Sequence, residues 1–86
     1  MRFLFYVELS KDPNAVAKMM LLIKQGQLTL EGMSFASTDS GTAFSATLTL
    51  TGAREKAEWL AKKLLNFPFF RVSRLMMLDE KIIDDE

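Results

Sequence analysis

Residues 43–51 read AFSATLTLT, and their polarity alternates without a break. Phe44, Ala46, Leu48 and Leu50 fall on one side, Ser45, Thr47, Thr49 and Thr51 on the other. A period of two belongs to a strand, and a strand apolar on one side only belongs to a sheet that packs a core on one face and leaves the other wet. The first segment, RFLFYVEL over residues 2–9, places Phe3, Phe5, Val7 and Leu9 on one face and Leu4 and Tyr6 on the other. A strand apolar on both faces is normally buried on both.

Between these strands the polar turn Ser10-Lys11-Asp12-Pro13 opens a helix. Asp12 suits the N-cap, and Pro13 suits the first helical position, where a missing N–H costs nothing. Val16, Met19, Met20 and Ile23 then recur at i, i+3, i+4 and i+7, the stripe of a helix packed on a core, and Gly26 ends it. A second strand is predicted over residues 27–38. In it Leu28 and Leu30 are out of phase with Met33 and Phe35 by one residue, which predicts a bulge near Glu31-Gly32. TDSGT, residues 38–42, makes the hairpin into the alternating strand. Thr51 is placed to cap a second helix over 53–65 with the stripe Ala57, Leu60, Ala61 and Leu64. Trp59 falls off that stripe and is either laid on its neighbours or an anchor for another subunit. Asn66-Phe67-Pro68 stops the helix, and FFRVSRLMML, residues 69–78, is a last strand with large apolar side chains on both faces.

The order β-α-β-β-α-β with right-handed crossovers gives an α+β fold of ferredoxin-like type, a four-stranded antiparallel sheet with two helices on one face and strands one and three at its centre. One domain is expected over residues 1–78, followed by an acidic tail over 79–86. A chain of 86 residues buries roughly two thirds or less of its unfolded surface, so a partner is expected. The uncovered sheet face is expected to show Leu4, Tyr6 and the side chains of Leu75, Met76 and Met77, a surface that invites a second copy. The methionines Met19, Met20, Met76 and Met77 read as core filler before partner surface.

Composition removes whole classes of chemistry. The chain has no cysteine and no histidine, hence no disulfide, no thiolate or imidazole nucleophile and no His/Cys metal cage. The acids are scattered or gathered in the tail DEKIIDDE, so neither a carboxylate metal site nor independent catalysis is expected. Net charge is zero, with −4 in that tail and +4 on the rest, which offers no field for nucleic acid or anionic lipid. No apolar run reaches the ~20 residues of a membrane span, and the first residues turn acidic too early for a signal peptide, so a cytoplasmic location is expected. Among functions housed by this fold, base stacking lacks its aromatics on the threonine-bearing third strand, copper transfer lacks its cysteines, and acylphosphatase chemistry lacks an arginine and glycine in the first turn.

From Glu8 to Thr38, ELSKDPNAVAKMMLLIKQGQLTLEGMSFAST, and on through SATLTLTGAREKAEWLAKKLLNFPFFRVSRL, the chain resembles the ACT domain of acetolactate (acetohydroxyacid) synthase regulatory small subunits. The resemblance implies a non-catalytic regulatory subunit that dimerises and activates a catalytic large subunit. Thiamine diphosphate and magnesium would sit in that subunit, and no cofactor in this chain. It also implies feedback by a branched-chain amino acid held at the first strand-to-helix turn. On that reading the effector site comprises Lys11, Asp12, Pro13, Asn14 and Ala15, whose N–H groups would receive the carboxylate, with Leu28, Thr29 and Leu30 beside the side chain. Lys11, Asn14 and Thr29 stand where family members often carry asparagine, glycine and asparagine, so two readings of Asp12-Pro13 stay open: a cap alone, or a cap that also serves a ligand. A stand-alone ACT-like amino-acid sensor and an oligomerisation module are the other readings of the whole.

Overall fold

A computed structural model describes residues 1–78, and the tail expected over 79–86 lies outside the described residues. The elements are β1 (Arg2–Ser10), α1 (Pro13–Gln25), β2 (Thr29–Ser37), β3 (Ala43–Thr51), α2 (Arg54–Leu64) and β4 (Phe70–Met77). The sheet order is β2-β3-β1-β4 with every neighbour antiparallel, the ferredoxin-like topology expected from the order of elements. β1 and β3 are central because each carries an unbroken apolar face. Phe3, Phe5 and Val7 stand opposite Leu50, Leu48 and Ala46, and all six are fully buried.

The helices cover that face. α1 begins with Asp12, whose Oδ1 accepts the Asn14 N–H at 2.9 Å, and with Pro13 at the first position. Its buried residues are Ala15, Met19, Leu22 and Ile23, while Val16 and Met20 lie half-buried at the margin. The stripe is rotated from the expected one because the apolar arc of this helix is wider than the surface beneath it, and the sheet takes the half centred on Met19. α2 buries Ala57, Leu60 and Leu64.

Thr51 does not cap α2. The N-cap position is Ala53, with no side-chain hydrogen bond, and the Thr51 hydroxyl donates to Glu31 Oε2 at 3.2 Å. The reason is register: Thr51 still pairs with Arg2 and Thr29 as the last residue of β3, and alternation points it to the face opposite the helices. The predicted bulge is present. Between Leu30 and Gly32 the β2–β3 register slips by one, leaving Glu31 as the extra residue and bringing Leu30, Met33 and Phe35 to the helix side. A second slip, in the β1–β4 pairing at Glu8/Leu9, leaves Arg71 as the extra residue of β4.

The end of α1 explains where β2 starts. Gln27 N–H donates to Lys24 O at 3.0 Å and Leu28 N–H to Ile23 O at 3.2 Å, the paired bonds of a Schellman cap. That cap puts its left-handed residue at Gln27, φ 58°, and leaves Gly26 in the right-handed region at φ −78°. Gly26 serves another purpose. A Cβ there would come within 3.1 Å of Cζ3 of Trp59, so the glycine lets the indole lie on the end of α1 and join the two helices. Among the described residues, no helix is long and apolar enough to cross a membrane.

Candidate functional site at the start of the first helix

Antiparallel pairing of Leu9 with Phe44 brings the β1–α1 turn against the beginning of β3. Lys11 leaves this turn with its ammonium 5.4 Å from the centroid of the Phe44 ring, a cation–π contact. Phe44 is in turn met edge-on by Phe35, centroids 5.7 Å apart and planes at 60°. Pro13, Val16 and Ala17 on α1 form the opposite wall, and the result is an open groove, apolar along its length, with one cation at its mouth. On the other flank of the turn Ser10, Thr42, Ala43, Pro68, Phe69 and Arg71 line a smaller cleft, across which Ser10 Oγ donates to Phe69 O at 3.3 Å.

The backbone donors of the turn are already bonded. Asn14 N–H is held by Asp12 Oδ1, and Ala15 N–H donates to Asp12 O at 2.8 Å. A carboxylate could reach the Asn14 N–H only by displacing the carboxylate of Asp12. Lys11 is thus the charged donor that faces the groove. The structure gathers Lys11, Asp12, Pro13, Asn14 and Ala15 at one end of α1. Leu28, Thr29 and Leu30 follow its other end, a helix of 13 residues or about 20 Å away. Leu28 is moreover buried in the core. The apolar residues beside the turn are instead Val16, Ala17 and Phe44. The sequence carried a signal for Phe44, the first inward residue of an alternating strand whose partner ends at the turn.

The residues expected at an interface divide among three surfaces. Leu4 and Tyr6 do share the open face with Met76 and Arg74, which stand opposite them on β4. Leu75 and Met77 pair with Phe5 and Phe3 and so lie on the helix side, a correction to the expected apolar face that comes from the parity of the β4 register. Trp59 lies half-buried over Gly26. On the open face the Tyr6 hydroxyl donates to Glu8 Oε2 at 2.9 Å, and Arg71 Nη2 stands 3.6 Å from Glu8 Oε1. The hydrogen bond to Glu8, with burial second, holds the Tyr6 phenol above its ordinary pKa of 10.0. No group of three or more acidic side chains placed to hold a metal ion occurs among the described residues.

No family model matches the sequence, and no curated protein matches it. Solved structures do. The ACT domain from GTP pyrophosphokinase of Chlorobium tepidum superposes with a TM-score of 0.72 at 10% identity, over 88% of this chain and 97% of that one. The C-terminal domain of the MgtC protein from Mycobacterium tuberculosis gives 0.68 at 18% identity, over 87% and 84%. A formyltetrahydrofolate deformylase from Burkholderia mallei ATCC 23344 gives 0.70 at 12% identity, and there the match covers 87% of this chain but 27% of the enzyme. The fold is therefore that of ACT domains, found in proteins that differ widely in the rest of their chains.

Proposed function

We propose that this chain is a non-catalytic regulatory module that senses a small apolar amino acid and acts on a partner protein. The observation that supports this reading is the groove itself: a single ammonium, Lys11, at the mouth of a trough walled by Pro13, Val16, Ala17 and Phe44. Such a trough matches a ligand with a carboxylate at one end and a hydrocarbon side chain at the other. The side chain would lie along Phe44 and Val16 rather than toward Leu28 and Leu30. The partner carries whatever chemistry is regulated, and the ligand shifts its conformational balance by binding one state better than the other. A second copy of the chain is the first partner in this reading, with the unpaired outer edge of β2 as its docking place.

The diversity of the proteins that share the fold favours this broad statement over its narrower form, in which the partner is the catalytic subunit of acetolactate synthase and the ligand a branched-chain amino acid. Calorimetry with valine, leucine and isoleucine on the purified chain tests the site. Lys11→Ala should weaken binding by about 1–3 kcal/mol, the size of a charge-assisted hydrogen bond, with little loss of stability. Absence of both heat and thermal stabilisation at millimolar ligand would refute the sensor. The narrower form is tested by mixing the chain with an acetolactate synthase catalytic subunit from the same source, where unchanged acetolactate production would sink it.

A further inference from the structure

A free amino acid offers a carboxylate, an α-ammonium and a side chain, and the groove beside Lys11 has counterparts for the first and the last. Lys11 supplies the cation, with no carboxylate among the described residues within ion-pair distance of it. Pro13, Val16, Ala17 and Phe44 supply hydrocarbon. None of these lining side chains can accept a hydrogen bond from an ammonium.

The acceptors nearby are already taken. Asp12 is the nearest acid along the chain, but it does not line the groove, and its Oδ1 holds the Asn14 N–H at 2.9 Å. Asp12 O accepts from Ala15 N–H at 2.8 Å and from Val16 N–H at 3.4 Å, and Ser10 O accepts from Asp12 N–H at 2.8 Å. Carbonyls from Pro13 onward enter the helix ladder, and Phe44 is paired on both sides, with Leu9 and with Ser37. Ser10 Oγ is turned to Phe69 O on the other flank of the turn, while the hydroxyls of Thr38, Ser40 and Thr42 bond one another.

We propose, resting on the reading of this groove as the sensor's site, that it recognises short branched carboxylic acids as a class and does not read the α-ammonium. An amino acid, its α-keto acid and its des-amino acid are then accepted on nearly equal terms. The ammonium is even a slight liability. With the ligand carboxylate on Lys11, the two ammonium groups stand about 5 Å apart, and across water their repulsion weakens binding roughly two- to fourfold. A site that holds the ammonium by a carboxylate shows the opposite sign, since deamination there costs about tenfold or more. A module of this kind reports the summed level of an amino acid and its keto acid, which transamination interconverts, rather than the position of that equilibrium.

The test is calorimetry and thermal unfolding of the full chain with leucine, α-ketoisocaproate, isocaproate and leucinamide. Isocaproate and α-ketoisocaproate should bind as tightly as leucine or up to about fourfold more tightly. Leucinamide, which keeps the ammonium and the side chain but lacks the carboxylate, should bind at least about tenfold more weakly. Lys11→Gln should weaken all three acids and remove the small advantage of the two that lack the ammonium. Leucine binding about threefold or more tighter than isocaproate would overturn the proposal and leave the sensor standing. Leucinamide binding as well as leucine would overturn it too, because the carboxylate would then not be read. If no probe gives heat or thermal stabilisation at millimolar concentration, the sensor and this proposal fall together.

Discussion

Substituting glycine for Gln27 tests the account of how α1 ends, and its magnitude can be worked from the backbone. Gln27 sits at φ 58°, where an L-residue's Cβ crowds the neighbouring carbonyl at a cost of roughly 1–2 kcal/mol. Glycine escapes that cost but brings extra freedom to the unfolded chain, a loss of about 0.5–1 kcal/mol. The difference favours the variant by up to about 1.5 kcal/mol. Both cap bonds, Gln27 N–H to Lys24 O and Leu28 N–H to Ile23 O, are backbone bonds that glycine keeps, and the Gln27 side chain is exposed. For a domain of this size the gain corresponds to a rise in Tm of up to about 12 °C. Thermal unfolding followed by circular dichroism reads it directly. A fall in Tm, with the folded spectrum unchanged, would refute the argument, because it would mean that the glutamine side chain holds something that the backbone geometry does not reveal.

The neighbouring position should behave differently: Gly26→Ala forces its Cβ toward the Trp59 ring, so it should lose the stability that alanine normally gains over glycine in a helix, about 1 kcal/mol, and recover it in a Trp59→Leu background, measured by a urea double-mutant cycle. Asp12→Ala should cost about 1 kcal/mol through the lost bond to Asn14 N–H, with or without ligand, again read from urea unfolding. Tyr6 is the single tyrosine, and a folded pKa above the ordinary value means that its contribution to stability is fully present below pH 10 and is lost as pH rises through the raised value. An ultraviolet titration of the phenol should show the raised midpoint in wild type and a return toward the ordinary one in Glu8→Gln.

Much of the fold was legible because the sequence expresses it locally. The unbroken alternation from Phe44 to Leu50 placed β3, and the one-residue phase slip between Leu30 and Met33 disclosed the bulge at Glu31 without reference to any pairing. What failed depended on parity between strands. A strand apolar on both sides, such as β4, does not disclose which of Leu75, Met76 and Met77 faces the helices, since only its register against β1 decides. Thr51 misled for the same reason: its type suits a cap, yet its place in β3 aims it at the wrong face. The residues proposed for the site were unequally placed by the sequence. Lys11, Asp12 and Pro13 are contiguous, whereas Phe44 comes from across the sheet, and Leu28 to Leu30 are near the helix in sequence but a full helix length from the turn.

The two bulges make the borders of the sheet unlike one another. At β4 the extra residue is Arg71, and a second arginine, Arg74, lies further along the strand. At β2 the extra residue is Glu31, and Gly32 to Ser37 beyond it contain no charge and no proline. Exposed strand edges are guarded against indiscriminate pairing by such charges, and β2 lacks them over six residues. If both borders were receptive, copies could join β2 to β4 head to tail and grow a fibre without limit. In the dimer proposed above, with only the β2 border receptive, β2 would meet another β2, an arrangement that a twofold axis closes after two molecules.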